Sequence, residues 1–267
     1  MKIMGFSGKT LRLTAVLALI CIAATLSAGC IGVANPTPNQ AMVRENLIFL
    51  DPDYVDANFI WNLLLDPNSY DQELINAVDS WLSPTDPVIE LGAGVGILST
   101  YINDKLAIPS QQVSVEPNPY LQPSLEKTKS YNEASYTIVP KAVAYGEDNV
   151  TMSVSSTILK NRIIEDSMFV ETITVPATTV QQIADDANFA GNITLVTNIV
   201  GSEYDVIVNE AEFLKNNVST IIAAVYTSGK NTPETFATRL GYLGFAEKSR
   251  AEDTDGGYMV MVFQKTE

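Results

Sequence analysis

The run Val88-Ile89-Glu90-Leu91 ends in Gly92-Ala93-Gly94-Val95-Gly96, and Glu116 closes a second apolar run 20 residues beyond Gly96. These residue types point first to binding chemistry. Glycines after a short apolar run permit a tight turn and let backbone amides approach a ligand closely. A carboxylate ending the next run can accept both hydroxyls of a ribose, as in a βαβ nucleotide-binding unit. The spacing is G-x-G-x-G, and Ile97 stands where a dinucleotide loop wants its third glycine. Glu90, just ahead of the loop, suits a ligand with an ammonium group better than the phosphates that a helix start attracts. S-adenosyl-L-methionine has that group and no phosphate. The binding candidates from spacing are therefore Glu90, Gly92, Ala93, Gly94, Gly96 and Glu116.

Glu90-Leu91-Gly92-Ala93-Gly94-Val95-Gly96 resembles motif I of class I S-adenosylmethionine-dependent methyltransferases. The longer stretch resembles the FkbM family of that class. Val115-Glu116-Pro117-Asn118-Pro119 is similar to its E-P-N-P segment, and Val139-Pro140-Lys141-Ala142-Val143 to the segment after its third strand. Val175-Pro176-Ala177-Thr178-Thr179-Val180 is similar to its lead-in to a helix. The resemblance spans residues 70–246. It implies an α/β, Rossmann-like methyltransferase sheet, S-adenosyl-L-methionine as cofactor, and Pro117, Asn118 and Ala142 in the binding set. It also implies O-methylation of a sugar-containing or small-molecule acceptor. The chain departs from the family at its fourth strand, where K-I-D-V-E-G-x-E is replaced by Val196-Thr197-Asn198-Ile199-Val200-Gly201-Ser202-Glu203. Lysine, aspartate and the first glutamate become Val196, Asn198 and Val200. Ile221–Tyr226 carries no acid where the family often has a glutamate.

The chain has no histidine, and its two cysteines, Cys21 and Cys30, both precede the domain. That excludes His/Cys zinc sites, Ser-His-Asp triads and a disulfide within the domain. An acceptor hydroxyl benefits from a base. The candidates near the ends of the fourth and fifth strands are Glu203, with Asp205 as a solvated alternative, and Tyr226. Asn198 could orient an acceptor and could not take a proton. Three of the 16 basic residues precede residue 30, leaving 13 against 31 acids, a net of −18. Such a surface repels nucleic acid and anionic headgroups, so the expected partner is a small-molecule or glycan acceptor.

Residues 1–30 read as a signal or anchor segment: Lys2, Lys9 and Arg12, then an uncharged run from Leu13 to Ala28, then Gly29-Cys30. Small residues before Cys30 resemble a lipoprotein box. An uncleaved anchor and ordinary cleavage are the other readings. Positive charge lies before the run and none follows until Arg44, so each reading places the domain outside the cytoplasm, and the lipoprotein and uncleaved-anchor readings keep it membrane-anchored. Residues 31–40 form a spacer and 41–267 the methyltransferase-like domain. Three functions fit: a membrane-anchored methyltransferase, a catalytically inert extracytoplasmic lipoprotein retaining the fold, and a nicotinamide enzyme, against which Ile97 stands.

The elements that must position these residues follow from periodicity. Residues 41–66 read as partly helical. Asp71 reads as the cap of a helix carrying Leu74, Ile75, Val78 and Trp81. Strands are expected at 88–91, 112–116, 136–139, 193–199 and 220–225, with helices between them. The half-exposed segments around Met152 and Val175 suggest a hairpin insertion. One helix is expected from Glu203 through Leu214, and Thr232-Pro233-Glu234 starts another. A terminal hairpin around Asp255-Gly256-Gly257 leads into a last strand at 258–263, which fits a methyltransferase sheet.

Overall fold

A computed structural model of the protein describes residues 39–154, 171–253 and 257–266; the apolar N-terminal segment, both cysteines and most of the spacer lie outside these. The first described element differs from the expectation. Gln40–Val43 (β1) and Asn46–Phe49 (β2) pair as an antiparallel hairpin. It turns on Arg44 and Glu45, with φ of 48° and 74°. A two-residue turn of this kind is usually marked by glycine or asparagine, and neither is present. The hairpin is held instead by distant side chains. The amides of Leu47 and Phe49 donate to Asn132 Oδ1 and Thr128 Oγ1 at 2.9 and 3.0 Å. Helix Ala57–Leu65 (α1) follows, capped by the Asp56 side chain, and then Gln72–Trp81 (α2).

The βαβ core runs Val88–Leu91 (β3), Ile97–Asn103 (α3), Gln112–Val115 (β4), Gln122–Tyr131 (α4) and Thr137–Val139 (β5). Next come Ala142–Val143 (β6), Asn149–Val154 (β7) and Glu171–Thr178 (β8). β7 pairs antiparallel with β8 and β6 parallel with it, so the half-exposed strands form a separate small sheet. Thr179 caps Val180–Asp186 (α5) by accepting from the Gln182 amide. Ile193–Thr197 (β9) leads to Glu203–Asn209 (α6) and Ala211–Asn217 (α7). The single helix expected here is divided at Glu210. Its carboxylate accepts from the Val180 amide at 2.6 Å and the Tyr145 hydroxyl at 3.2 Å, which fastens the start of α5 to the break. Val218–Val225 (β10), Pro233–Tyr242 (α8), Phe245–Asp253 (β11) and Tyr258–Lys265 (β12) complete the chain.

The main sheet has the order β11-β12-β10-β9-β3-β4-β5. Neighbours from β5 to β10 are parallel, and β12 lies antiparallel between β10 and β11. Alternation sorts the strand side chains onto two buried faces. Ile89, Leu91, Val113, Val115 and Leu195 pack with α5–α8 residues such as Ile183, Ile207 and Leu240. Val88, Val196, Ile222 and Val260 pack with Leu74, Ile75 and Ile102 of α2 and α3. The central strands are largely apolar on both faces because helices cover both, as parallel sheets require, with Glu90, Gln112 and Ser114 as buried polar exceptions. Among the described residues no helix is long and apolar enough to cross a membrane.

Candidate functional site

The strand order reverses between β3 and β9, and a cleft opens there, beyond the carboxyl ends of the strands. Its lining includes Gly92, Gly94, Glu116, Pro117, Ala142, Asn198 and Tyr226, together with Tyr70, Met152, Val200 and Ser202. Seven of the residues singled out in the sequence therefore meet in one place. Glu90, Ala93, Gly96, Asn118 and Glu203 do not line the cleft.

The glycine loop is shaped by close contacts on both sides. Gly92, Gly94 and Gly96 have φ of 91°, 56° and 90°. A Cβ on Gly92 would stand 2.1 Å from the carbonyl oxygen of Asn198, and one on Gly96 would meet Leu125 at 2.8 Å. The first glycine thus lets the ends of β3 and β9 approach, and the third lets α3 pack on α4. Ala93 packs beside Leu125 and Tyr136 beneath the loop. Glu116 ties the loop to the end of β4. One carboxylate oxygen accepts the Gly94 amide at 2.8 Å and the other the Asn118 amide at 2.8 Å. Burial pushes its carboxyl above the usual range, and the two amides oppose that. Each oxygen keeps a further lone pair, so Glu116 can still accept from a ligand. Asn118 is buried, and its Oδ1 accepts the Tyr120 amide at 3.0 Å. The Gln122 side-chain amide bonds the Glu116 carbonyl.

Glu90 points away from the ligand side, and contact with an ammonium group does not follow from its position. It lies on the α3 face of β3, where its Oε2 accepts the Ser114 hydroxyl at 2.6 Å. Its Oε1 has no hydrogen-bond partner among the described residues. Burial pushes the carboxyl up to about 7.

The far end of the cleft is built from aromatic hydroxyls and one amide. The Tyr226 hydroxyl donates to Asn198 Oδ1 at 3.0 Å, and Asn198 Nδ2 donates to Asp71 Oδ2 at 3.3 Å. Tyr258 donates to Asp71 Oδ1 at 2.6 Å. Glu203, the leading base candidate, is buried with both oxygens engaged. They accept the Tyr226 amide at 2.9 Å and the Gly201 amide at 2.6 Å. That geometry makes Glu203 a brace between β10 and the β9–α6 loop, outside the lining of the cleft. Asp205 is exposed on α6. Val200 lines the cleft with φ of 50°, a costly conformation for a β-branched residue and one that clusters at ligand sites. Sequence reasoning missed Asp71, Tyr258 and Tyr70. Asp71 occupies the cap position of α2 but makes no side-chain cap bond.

Strand order and the antiparallel last strand define the class: a single-domain, Rossmann-like methyltransferase fold. No protein-family model matches the chain, and no curated protein matches it in sequence. Among solved structures, a Pyrococcus horikoshii protein provisionally designated a transferase aligns over 84% of this chain and 70% of its own, at 12% identity and TM-score 0.50. Magnesium protoporphyrin IX methyltransferase from Synechocystis, with bound S-adenosylmethionine, aligns over 99% and 100% of the two chains at 9% identity and TM-score 0.48. Aeropyrum pernix fibrillarin, with natively bound S-adenosyl-L-methionine, aligns over 73% and 76% at 11% identity and TM-score 0.45. Likeness at such identities concerns the fold alone.

Proposed function

We propose that the protein is an S-adenosylmethionine-dependent methyltransferase, related to the FkbM family, acting on a neutral sugar-containing or small-molecule acceptor. The observation that carries this reading is Glu116. It is a buried carboxylate at the cleft, clamped by the Gly94 and Asn118 amides, at the switch point of the sheet. The cradle fits the cofactor: Gly92 and Gly94 bring backbone to the cleft wall, and Glu116 has lone pairs for two ribose hydroxyls. Held there, the cofactor would supply an electrophilic methyl group for an acceptor oxygen. The chain supplies alignment and exclusion of water, which account for much of such a rate. Asn198 and Tyr226 orient the acceptor. The acidic surface disfavours a nucleic-acid acceptor.

Calorimetry on the full chain tests this. S-adenosylhomocysteine should bind, and Glu116→Ala should weaken it by about 1–3 kcal/mol, the scale of hydrogen bonds to a charged group. The thermal midpoint of the unliganded variant controls for loss of the Gly94 clamp. Binding of NAD in place of the homocysteine compound would end the methyltransferase reading.

One observation favours the second reading, an inert protein retaining the fold: both Glu203 oxygens are held by backbone amides. Cofactor binding without transfer to any acceptor would support it. We further infer that residues 1–30 anchor the domain to a membrane from outside the cytoplasm, on the charge pattern alone. Cys30→Ser should then move the protein out of the membrane fraction or leave a slower-migrating precursor. Membrane retention at unchanged mass would instead indicate an uncleaved anchor.

A further inference from the structure

We propose that Asp71 is the positioning acid of the acceptor end of the cleft, and that through Asn198 it sets Tyr226 to receive a neutral hydrogen-bond donor, a hydroxyl or amine, in preference to an anion. The inference rests on the methyltransferase reading for what occupies the cleft. Asp71 stands at the start of α2 with φ of 45° and leaves the helix uncapped. Its carboxylate turns inward, buried, to Tyr258 and Asn198. An ionised carboxylate only accepts hydrogen bonds, so Asn198 must present its NH₂ to Asp71 and its Oδ1 the other way. There Oδ1 takes the Tyr226 proton. A phenol whose proton is held by Asn198 meets an incoming group as an acceptor. It matches O–H and N–H groups and repels carboxylates and phosphates.

Tyr70, Asn198 and Tyr226 line the cleft, so the chain of bonds ends where an acceptor would sit. The resemblance puts an aspartate at position 198. In this protein an aspartate there would face the Asp71 carboxylate, a repulsive pair. The amide at 198 and the acid at 71 are thus matched to each other.

Ionisation of Asp71 decides the direction of the chain. Burial pushes its carboxyl up to about 6; Tyr258, Tyr70 and Asn198 bond it and pull it down, while Asp253 pushes it up. Burial holds the Tyr70 and Tyr258 phenols above their usual range, so both remain protonated donors. Arg44 reaches the neighbouring Gln72 at 2.6 Å. Tyr258 donates to Asp71 Oδ1, so a proton taken up by Asp71 sits on Oδ2, which faces Asn198. Oδ2 then donates, Asn198 turns its oxygen toward it, and the bond to Tyr226 reverses.

Carbon NMR of the full chain labelled at tyrosine Cζ reads this directly, with the Tyr226 signal assigned by its loss in Tyr226→Phe. In wild type that signal should step with a midpoint near pH 6. Asp71→Asn should abolish the step and leave S-adenosylhomocysteine affinity within about twofold. If Asp71→Asn does not fold, Tyr258→Phe serves: removing one donor to Asp71 should raise the midpoint. A flat Tyr226 signal in wild type, a step retained in Asp71→Asn, or an unmoved midpoint in Tyr258→Phe overturns the proposal. Above the step, with S-adenosylhomocysteine present, phenol should shift the signal saturably and benzoate should not. Benzoate acting as well as phenol, or neither acting, overturns the assigned specificity. Absent S-adenosylhomocysteine binding with an intact pH step would remove the methyltransferase reading and leave the Asp71 chain standing.

Discussion

Glu90→Gln is expected to raise stability by about 3 kcal/mol above neutral pH and to leave it nearly unchanged below about pH 4, as read from urea midpoints across that range. Glu90 is 1% exposed, and one of its oxygens has no hydrogen-bond partner among the described residues. Burial moves its carboxyl from an ordinary 4.5 up to about 7. Between these values the folded protein keeps a proton that the unfolded chain has released. The folded state binds more protons, so stability falls as pH rises through this window and levels off above it. A gap of about 2.5 units at about 1.4 kcal/mol each sets the size. Glutamine keeps the shape and the Ser114 contact without the charge. Asp71, pushed up to about 6, adds a slope of the same sign at lower pH and is untouched by the substitution. Parallel loss of stability in wild type and variant would show that Glu90 ionises in the fold much as it does in water.

The isolation of Glu90 has a source in the sheet. Val196 is its direct partner across the β3–β9 pair. Valine there sets no charge beside the carboxylate, and its polar neighbours Ser114, Ser99 and Gln112 only partly oppose the effect of burial. At 198 the amide faces an acid from α2 that complements it.

The cradle was legible in the sequence because its requirements are local. Three glycines must follow the end of one strand, and a carboxylate must end the next, at spacings set by one βαβ unit. The central strands Ile193–Thr197, Val218–Val225 and Tyr258–Lys265 were legible for a similar reason, since burial on both faces makes them largely apolar runs. The β1–β2 hairpin was not. Its turn residues, Arg44 and Glu45, carry no turn chemistry of their own, and its bonds go to Thr128 and Asn132, far along the chain. Asp71 was misread for the same cause. Before a helix an aspartate reads as a cap, and only the fold brings Asn198 and Tyr258, 127 and 187 residues away, to its carboxylate. Glu203 looked like an available base because sequence does not reveal that the amides of Gly201 and Tyr226 already occupy it.

Gly92→Ala should destabilise the protein by more than about 3 kcal/mol and abolish binding of S-adenosylhomocysteine, as measured by urea unfolding and calorimetry. Two costs combine. A φ of 91° is unfavourable for alanine by about 1–2 kcal/mol. The added Cβ would also lie 2.1 Å from the Asn198 carbonyl oxygen and 2.9 Å from its carbon. Both are backbone atoms, so no rotamer change relieves the overlap, and the ends of β3 and β9 must separate. That movement would carry Gly94 from Glu116 and Asn198 from Leu91, whose carbonyl now accepts the Asn198 amide at 2.9 Å. Gly146→Ala isolates the conformational part. Gly146 has φ of 97°, and a Cβ there would meet nothing within 4 Å among the described residues. It should cost about 1–2 kcal/mol and leave the ligand affinity intact. Equal losses from the two substitutions would mean that the approach of β9 to the glycine loop is not tight, and the cleft would have to be held open by the Glu116 clamp alone.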